Sequence, residues 1–305
     1  MRLVVSVKKN KPCILVLGMF DGLHRGHMAL INQAIALRKK TGLPITVLTF
    51  DKHPLQIISP STCPKLLTTV HERARILSLK KIEMMNVIPF TQSIMHMSKY
   101  NFLKWIISMF KPRHIIVGYN YTFGLSGEGN NEFLREQSGQ YGYNLSILEP
   151  VRINSDPVSS SRVRSLIELG NITDAGILLS RPYEFAGIVE KGRKIGRKIG
   201  YPTANICFPS SKVVPCLGVY TALALLDNHS YPCVVNIGYH PTFETSVLLA
   251  EVHILYKHVN IYQKKLRVKL LAFLRTEHQF ASKEELALQI KNDVIACNRF
   301  FIRYR

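Results

Sequence analysis

The fold turns on residues 12–27, Pro12-Cys-Ile-Leu-Val-Leu-Gly-Met-Phe-Asp-Gly-Leu-His-Arg-Gly-His27. A short apolar run, Pro12 to Gly18, stops at turn residues. From Leu23 to Lys40 the apolar positions then recur at helical spacing through Leu30, Ala34 and Leu37. Gly42 and Pro44 close that helix, and Ile45 to Phe50 (ITVLTF) is a second apolar run. Asn86 to Phe90, His114 to Gly118 and Asn144 to Pro150 continue the series, with helical segments between them. Strands that are apolar at every position and separated by helices predict a parallel sheet covered on both faces, a doubly wound α/β domain.

After about residue 180 the texture changes. FAGIVE, GVYTALALL, YPCVVNIG, AEVHILY and KLRVKLLAFL follow one another between turn residues, with no helix before Ser282. That pattern predicts an antiparallel sheet or small barrel. One helix ends the chain, opened by Ser282 with Glu285 three residues on as a capping box, and striped by Leu286, Ile290 and Val294. The division falls at Arg181-Pro182, giving domains 1–180 and 181–305, as expected for a chain longer than one core usually supports.

Composition removes several classes. Hydrophobic residues at 47% and charged residues at 20% make globular domains rather than disorder. No run approaches the roughly 20 apolar residues of a membrane-spanning helix, and lysines interrupt the N-terminal apolar segment, which argues against an export signal. Six scattered cysteines (Cys13, Cys63, Cys207, Cys216, Cys233, Cys297) without a C-x-x-C pair fit a reducing cytoplasm better than a disulfide scaffold or structural zinc. The net charge is +20, yet 22 basic and 11 acidic residues fall in 1–180, and 18 and 9 in 181–305. A nucleic-acid binder would concentrate its charge in a tail or stripe, whereas this even excess suits anionic small substrates or a bias of the whole proteome equally well.

Two segments carry the chemistry. Gly18 to His27 lies where a buried strand becomes a helix, a place that offers free N–H groups and a positive helix end to an anion. Gly18, Gly22 and Gly26 allow close backbone approach. His24 and His27 share a face of the first turn and can stabilise charge on a phosphoryl group in transit; with no third ligand nearby they make a poor zinc site. Further on, Ser159 to Ser161 can cap a helix running to Glu168, and Arg164 offers a guanidinium fork. The second segment runs from Gly187 through Gly192, Gly196 and Arg197 to Thr203 and Asn205. In an extended strand Thr203 and Asn205 point the same way, and their neutral oxygens suit a magnesium ion already held by nucleotide phosphates. By residues alone, solvated turns and an unliganded glycine-rich hairpin remain alternatives at both places.

The first segment resembles the H-x-G-H signature of the nucleotidylyltransferase superfamily, and Val158-Ser-Ser-Ser-Arg-Val-Arg164 resembles its I-S-S-T-x-x-R. Gly196-Arg-Lys-Ile-Gly-Tyr-Pro-Thr-Ala-Asn205 resembles the G-R-x-L-G-x-P-T-A-N motif of flavokinases. Gly218-Val-Tyr220, Asn236-Ile-Gly238, Pro241-Thr-Phe243 and Glu251-Val-His253 follow in that family's order. Nearly the whole chain is thus similar to the bifunctional bacterial riboflavin kinase/FAD synthetases. The resemblance implies an enzyme that uses ATP to phosphorylate riboflavin to FMN, then transfers an adenylyl group from ATP to FMN, giving FAD and pyrophosphate. It implies that Gly18, Phe20, Asp21, Gly22, Ser159, Ser160 and Arg164 border ATP, with His24 and His27 at the reacting phosphates. Gly192, Gly196 and Arg197 would border the phosphates of the kinase site, Thr203 and Asn205 would hold magnesium, and Glu251 would be the base for the riboflavin hydroxyl. Asn120 falls at the flavin position of the first domain.

Departures from the family pattern cluster in the first domain. Lys52 replaces proline within Thr49-Phe-Asp-Lys-His-Pro54, Asn120 replaces an acid within Val117-Gly-Tyr-Asn-Tyr-Thr-Phe-Gly124, and Asn130 replaces an aspartate after Gly129. In the second, Tyr239-His240 precede Pro241, Glu244 stands at a usual glycine and Tyr256 at a common aspartate. The asparagines motivate an alternative, a riboflavin kinase whose adenylyltransferase domain is weak or inactive. A non-catalytic basic RNA or nucleotide binder is a third reading; it predicts salt-sensitive binding but lacks RNA-motif aromatics.

Overall fold

Strand β2 (Cys13–Leu17) is buried at every residue because it divides its side chains between two cores. Ile14 and Val16 face a cluster with Leu30, Ile31, Ala34, Ile76 and Leu77, whereas Cys13, Leu15 and Leu17 face Phe102, Leu103, Ile106, Phe110 and Leu134. The first set of partners lies on α1 (Arg25–Thr41) and α3 (Val70–Leu79), the second on α5 (Lys99–Phe110) and α6 (Asn131–Tyr141). Helices thus cover both faces, so no polar side is needed anywhere along the strand.

A computed structural model provides this description for residues 2–4, 11–191, 196, 199–227, 229–241, 246–256 and 261–304. The chain forms two compact units, Met1–Ser160 and Ser161–Arg305. In the first, β1 (Arg2–Val4), β2, β3 (Ile45–Phe50), β4 (Met84–Ile88), β5 (Pro112–Gly118) and β6 (Asn144–Leu148) form one sheet in the order β1-β4-β3-β2-β5-β6. Every neighbour pairs in parallel. Two short helices, α2 (Leu55–Ile58) and α4 (Gln92–Met95), and a two-stranded ribbon, β7 (Arg152–Ile153) with β8 (Asp156–Pro157), complete the unit. From β2 the chain moves outward through β3 and β4, then returns to place β5 on the other side of β2. The doubly wound expectation holds, and the strand order reverses between β2 and β5, whose carboxyl ends are where such sheets bind ligands.

The second unit begins with α7 (Ser160–Glu168) after its first residue, followed by α8 (Ile172–Leu179). Both contact the chain that follows: Cys216 N–H, just before the strand at Gly218–Leu226, donates to the Ile167 carbonyl at 3.2 Å, and Thr173 Oγ1 donates to the Leu271 carbonyl at 3.4 Å. Strands β9 (Tyr183–Glu190), β10 (Ala204–Cys207), β11 (Gly218–Leu226), β12 (His229–Pro241), β13 (Ser246–Ile254) and β14 (Lys265–Arg275) close an antiparallel barrel in the order β10-β13-β12-β11-β14-β9. Ile206, Ile237, Ala250 and Val252 are buried inside; alternate residues face outward. Strand β10 was too short a run to stand out in the sequence.

The last helix, α9 (Lys283–Tyr304), covers part of the outer barrel surface, where Cys297 packs with Val219, Val234 and Leu255. Its start differs slightly from a full capping box. Ser282 Oγ accepts from Glu285 N–H at 3.1 Å, but the Glu285 carboxylate accepts from Ala281 rather than Ser282.

One glycine marks how tightly the barrel closes. A Cβ at Gly187 in β9 would lie 2.3 Å from Ile206 Cγ2, and Ile206 is wholly buried. Gly187→Ala is expected to lower barrel stability by about 1–3 kcal/mol through overpacking; the check is the denaturant midpoint of the purified variant against the parent.

Candidate active site

In the first unit the carboxyl end of β2 runs into a strained turn. Phe20 (φ 53°), Gly22 (φ 83°) and Leu23 (φ 43°) all occupy the left-handed region, which costs a non-glycine residue about 1–2 kcal/mol unless the surroundings enforce it. The enforcement is visible. The buried Phe20 ring lies over Gly18, where a Cβ would sit 3.1 Å from it. Gly22 N–H donates to Thr68 Oγ1 at 2.8 Å. The Asp21 carboxylate, almost wholly buried, accepts from Leu67 and Thr68 N–H at 2.9 and 3.0 Å. The Met19 carbonyl accepts from Thr49 Oγ1 and from Arg73 Nη1, each at 2.8 Å.

Arg73 was not singled out by the sequence, since one arginine in an amphipathic helix reads as a surface residue. It is in fact fully buried, with Nε and Nη2 lacking hydrogen-bond partners. Burial pulls its pKa down, opposed by the charges of Asp21 and Asp51.

The turn delivers His24 to the N-cap of α1, where its Nδ1 faces the His27 N–H at 3.4 Å. A Cβ at Gly26 would touch the His24 ring at 3.1 Å, so the glycine makes room for the imidazole. The His24 and His27 rings stack with centroids 3.8 Å apart, and His27 meets the Phe20 ring edge-on at 5.3 Å. Two imidazoles therefore sit together at the positive end of a 17-residue helix. The distant serine motif reaches the same turn: Ser160 Oγ donates to the Asp21 carbonyl at 2.9 Å, and the Val158 carbonyl passes 3.5 Å from the Cβ position of Gly26. Ser159 is half-buried beside it. Arg164 is buried on α7, within the second unit. Beside β2, strand β5 ends at Gly118, and Asn131 Nδ2 holds the Gly118 and Tyr119 carbonyls at 3.0 and 2.7 Å. Asn120 follows, exposed.

In the second unit the barrel register builds a row. Asn205 of β10 pairs with Glu251 of β13, and Glu251 pairs with Asn236 of β12. Directly opposed residues share a face, and because Ala204, Ile206, Ala250 and Val252 point inward, this polar row points outward. Thr203 stands two residues before Asn205, just ahead of the first residue of β10. Gly196 is built into the approach: a Cβ there would meet the Tyr201 carbonyl at 2.3 Å and lie 3.5 Å from Thr203 Oγ1. Its own carbonyl accepts from Tyr201 N–H at 2.8 Å. Gly192, Arg197, Thr242, Phe243 and Glu244 lie outside the described residues. Beside the row, His253 Nδ1 bonds the Pro202 carbonyl at 2.9 Å and its ring meets Tyr201 at 5.5 Å. These two residues, with Gly200, Ile254, Leu255, Tyr256 and Val294, line a largely apolar cleft of about 390 Å³.

Two family models match in succession, one described as FAD synthetase over residues 6–162 and one described as riboflavin kinase over residues 179–301. The chain belongs to the bifunctional riboflavin kinase/FAD synthetase family. Proteins called bifunctional riboflavin kinase/FMN adenylyltransferase are similar along almost the whole length. That of Listeria monocytogenes is 32% identical, covering 95% of this chain and 93% of the relative. That of Escherichia coli K12 is 31% identical, covering 97% and 95%. A crystal structure described as a macrolide-efflux protein from Streptococcus pneumoniae has the same fold, with a TM-score of 0.89 and 28% identity, covering 97% of this chain and 98% of that one. Among the described residues no helix is long and apolar enough to cross a membrane.

The structure also gives the family departures a physical reading. Asn130 is the N-cap of α6, its Oδ1 accepting from Phe133 N–H at 2.9 Å, and asparagine caps as well as aspartate. Tyr256 turns its hydroxyl to Asn298 Oδ1 of α9 at 2.5 Å. Lys52 is half-buried between Asp51, which accepts from Phe90 N–H, and His53, which accepts from Leu55 N–H. Asn130→Asp is therefore expected to leave the stability of the FAD synthetase half within about 0.5 kcal/mol, whereas Asn130→Ala lowers it by about 1 kcal/mol; thermal unfolding of both variants checks the pair.

Proposed function

We propose that the barrel half phosphorylates riboflavin to FMN and the parallel-sheet half transfers an adenylyl group from ATP to FMN, yielding FAD and pyrophosphate. The observation that carries this reading is the outward row Asn205–Glu251–Asn236 beside Thr203, in a chain that carries both family domains. The stacked His24 and His27 at the turn in one half and the polar row in the other support it. The adenylylating region is taken as 1–180 and the kinase region as 181–305, and a cytoplasmic location fits both.

In the kinase half Glu251 accepts the proton of the ribityl 5′-hydroxyl as that oxygen attacks the γ-phosphorus of ATP. Phosphoryl transfer needs positioning and charge stabilisation more than covalent help, and one carboxylate suffices as base. The donor set beside it fits magnesium: Thr203 and Asn205 offer two neutral oxygens, suited to an ion that arrives on phosphates and keeps much of its water. When bound, that ion would neutralise charge on the transferring phosphate. Gly196 leaves the backbone free to approach, with Gly192 and Arg197 assigned to the same phosphates. The cleft at Tyr201 and His253 offers a planar heterocycle an apolar seat.

In the FAD synthetase half an FMN phosphate oxygen attacks the α-phosphorus and pyrophosphate departs. His24 and His27, at the positive start of α1, stabilise the charge that moves onto the leaving phosphates. The Asp21 carboxylate is already engaged by Leu67 and Thr68, so its part is to hold the turn while its neighbours meet the nucleotide. Phe20 braces His27. Ser159 and Ser160 complete the ATP side, and Asn120 meets the flavin as a neutral hydrogen-bonding group. The residues at 120 and 130 are tolerated on this reading, because Asn130 retains the capping role.

The test is a time course of riboflavin, ATP and magnesium with the purified chain, with flavins separated. FMN should appear and give way to FAD; FMN that accumulates without FAD would leave only the kinase. Glu251→Gln should lower phosphorylation by about 10²–10⁴-fold while sparing adenylylation of supplied FMN. His27→Ala should do the reverse, lowering FAD formation by about 10²–10³-fold. Normal kinase turnover in the first variant, or normal FAD formation in the second, would remove the corresponding assignment.

A further inference from the structure

Asn236 stands opposite Glu251 in the β12–β13 pairing and shares its outward face. Its Nδ2 donates to Glu277 Oε1 at 2.9 Å. A carboxylate can only accept, so this bond fixes which end of the amide is nitrogen and turns Oδ1 the other way. That Oδ1 is buried and has no hydrogen-bond partner. An acceptor shut off from water without a donor needs a reason.

The arrangement is built rather than incidental. Gly238, two residues on and on the same face, has no room for a side chain: a Cβ there would lie 2.0 Å from Glu277 Oε1. Glu277 follows Arg275, whose guanidinium forks onto Asp293 of α9 at 2.9 and 2.8 Å and donates to the Thr276 carbonyl at 3.0 Å. The segment that carries Glu277 is thereby fastened to the terminal helix.

We propose that Asn236 Oδ1 accepts a hydrogen bond from a hydroxyl of the substrate's polyol chain, next to the hydroxyl that Glu251 deprotonates, and that Glu277 is a positioning residue that holds the amide in that orientation. This rests on Glu251 being the kinase base. The reacting end of ATP carries only acceptor oxygens, so it cannot satisfy another acceptor. Riboflavin's ribityl chain presents several hydroxyl donors within one residue's reach of the one that reacts.

The experiment measures phosphorylation kinetics of Asn236→Leu, Glu277→Ala, Glu277→Gln and the Asn236→Leu/Glu277→Ala double variant. FMN adenylylation and the unfolding midpoint serve as controls for folding. Asn236→Leu should raise KM for riboflavin roughly tenfold, the worth of one hydrogen bond to a buried acceptor, with KM for ATP unchanged. Glu277→Ala should give a comparable rise, and the double variant should be no worse than Asn236→Leu alone, since the second residue acts through the first. Glu277→Gln should keep most of the affinity, because its amide oxygen still accepts from Asn236. An unchanged KM for riboflavin in Asn236→Leu would overturn the proposal, as would additive losses in the double variant or a raised magnesium requirement in place of the riboflavin effect. Full phosphorylation by Glu251→Gln would sink the base assignment instead; riboflavin binding to Asn236→Leu, followed by flavin fluorescence, then still decides whether Asn236 makes the contact.

Discussion

Side chains alternate along a β-strand, and what covers the two faces of a sheet decides where chemistry can sit. In the first unit helices cover both faces, so β2 has no side chain to spare between Cys13 and Leu17, and reactive groups appear only where the strand stops. In the second unit the sheet closes on itself. Its inner face is filled by Ile206, Ile237, Ala250 and Val252, while the outer face, covered in part by α9, can carry Asn205, Glu251 and Asn236 in the middle of strands. One chain thus presents two candidate sites of different construction, a strand-to-helix turn in one and a cross-strand row in the other.

The two constructions use strain and register respectively. The turn after β2 holds Phe20 and Leu23 in the left-handed region, and Arg73, Thr49, Thr68 and Asp21 bind its backbone or its neighbours so that it cannot relax. A buried guanidinium behind the Met19 carbonyl also leaves a positive charge behind a loop suited to anions, partly balanced by Asp21 and Asp51. The barrel row needs no strained residue. Its geometry follows from antiparallel pairing, in which a slip of one residue would turn Glu251 into the core and put Ala250 and Val252 outside.

Much of this was legible in the residues. The uninterrupted apolar runs called the parallel sheet, the clustered short strands called the barrel, and the His24/His27 spacing placed two imidazoles on one helical turn, as the structure has them. Other parts left no local mark. Strand β10 is only four residues, and Arg73 looks like any helix-surface arginine until burial shows otherwise. Asn130 read as a lost charge, and only the α6 N-cap revealed what the side chain does.

By itself the sequence determined the fold class of each half and the residue types gathered at both candidate sites, because strand and helix periodicity and glycine at special backbone positions are local properties. Only the tertiary structure decided which residues meet. Ser160 reaches Asp21 across 139 positions, Asn236 stands beside Glu251 and is gripped by Glu277, and Asn205 completes the same row. Such contacts depend on strand order and register, which arise from how whole sheets close and pack, and a linear string of residues holds no measure of distance between segments so far apart.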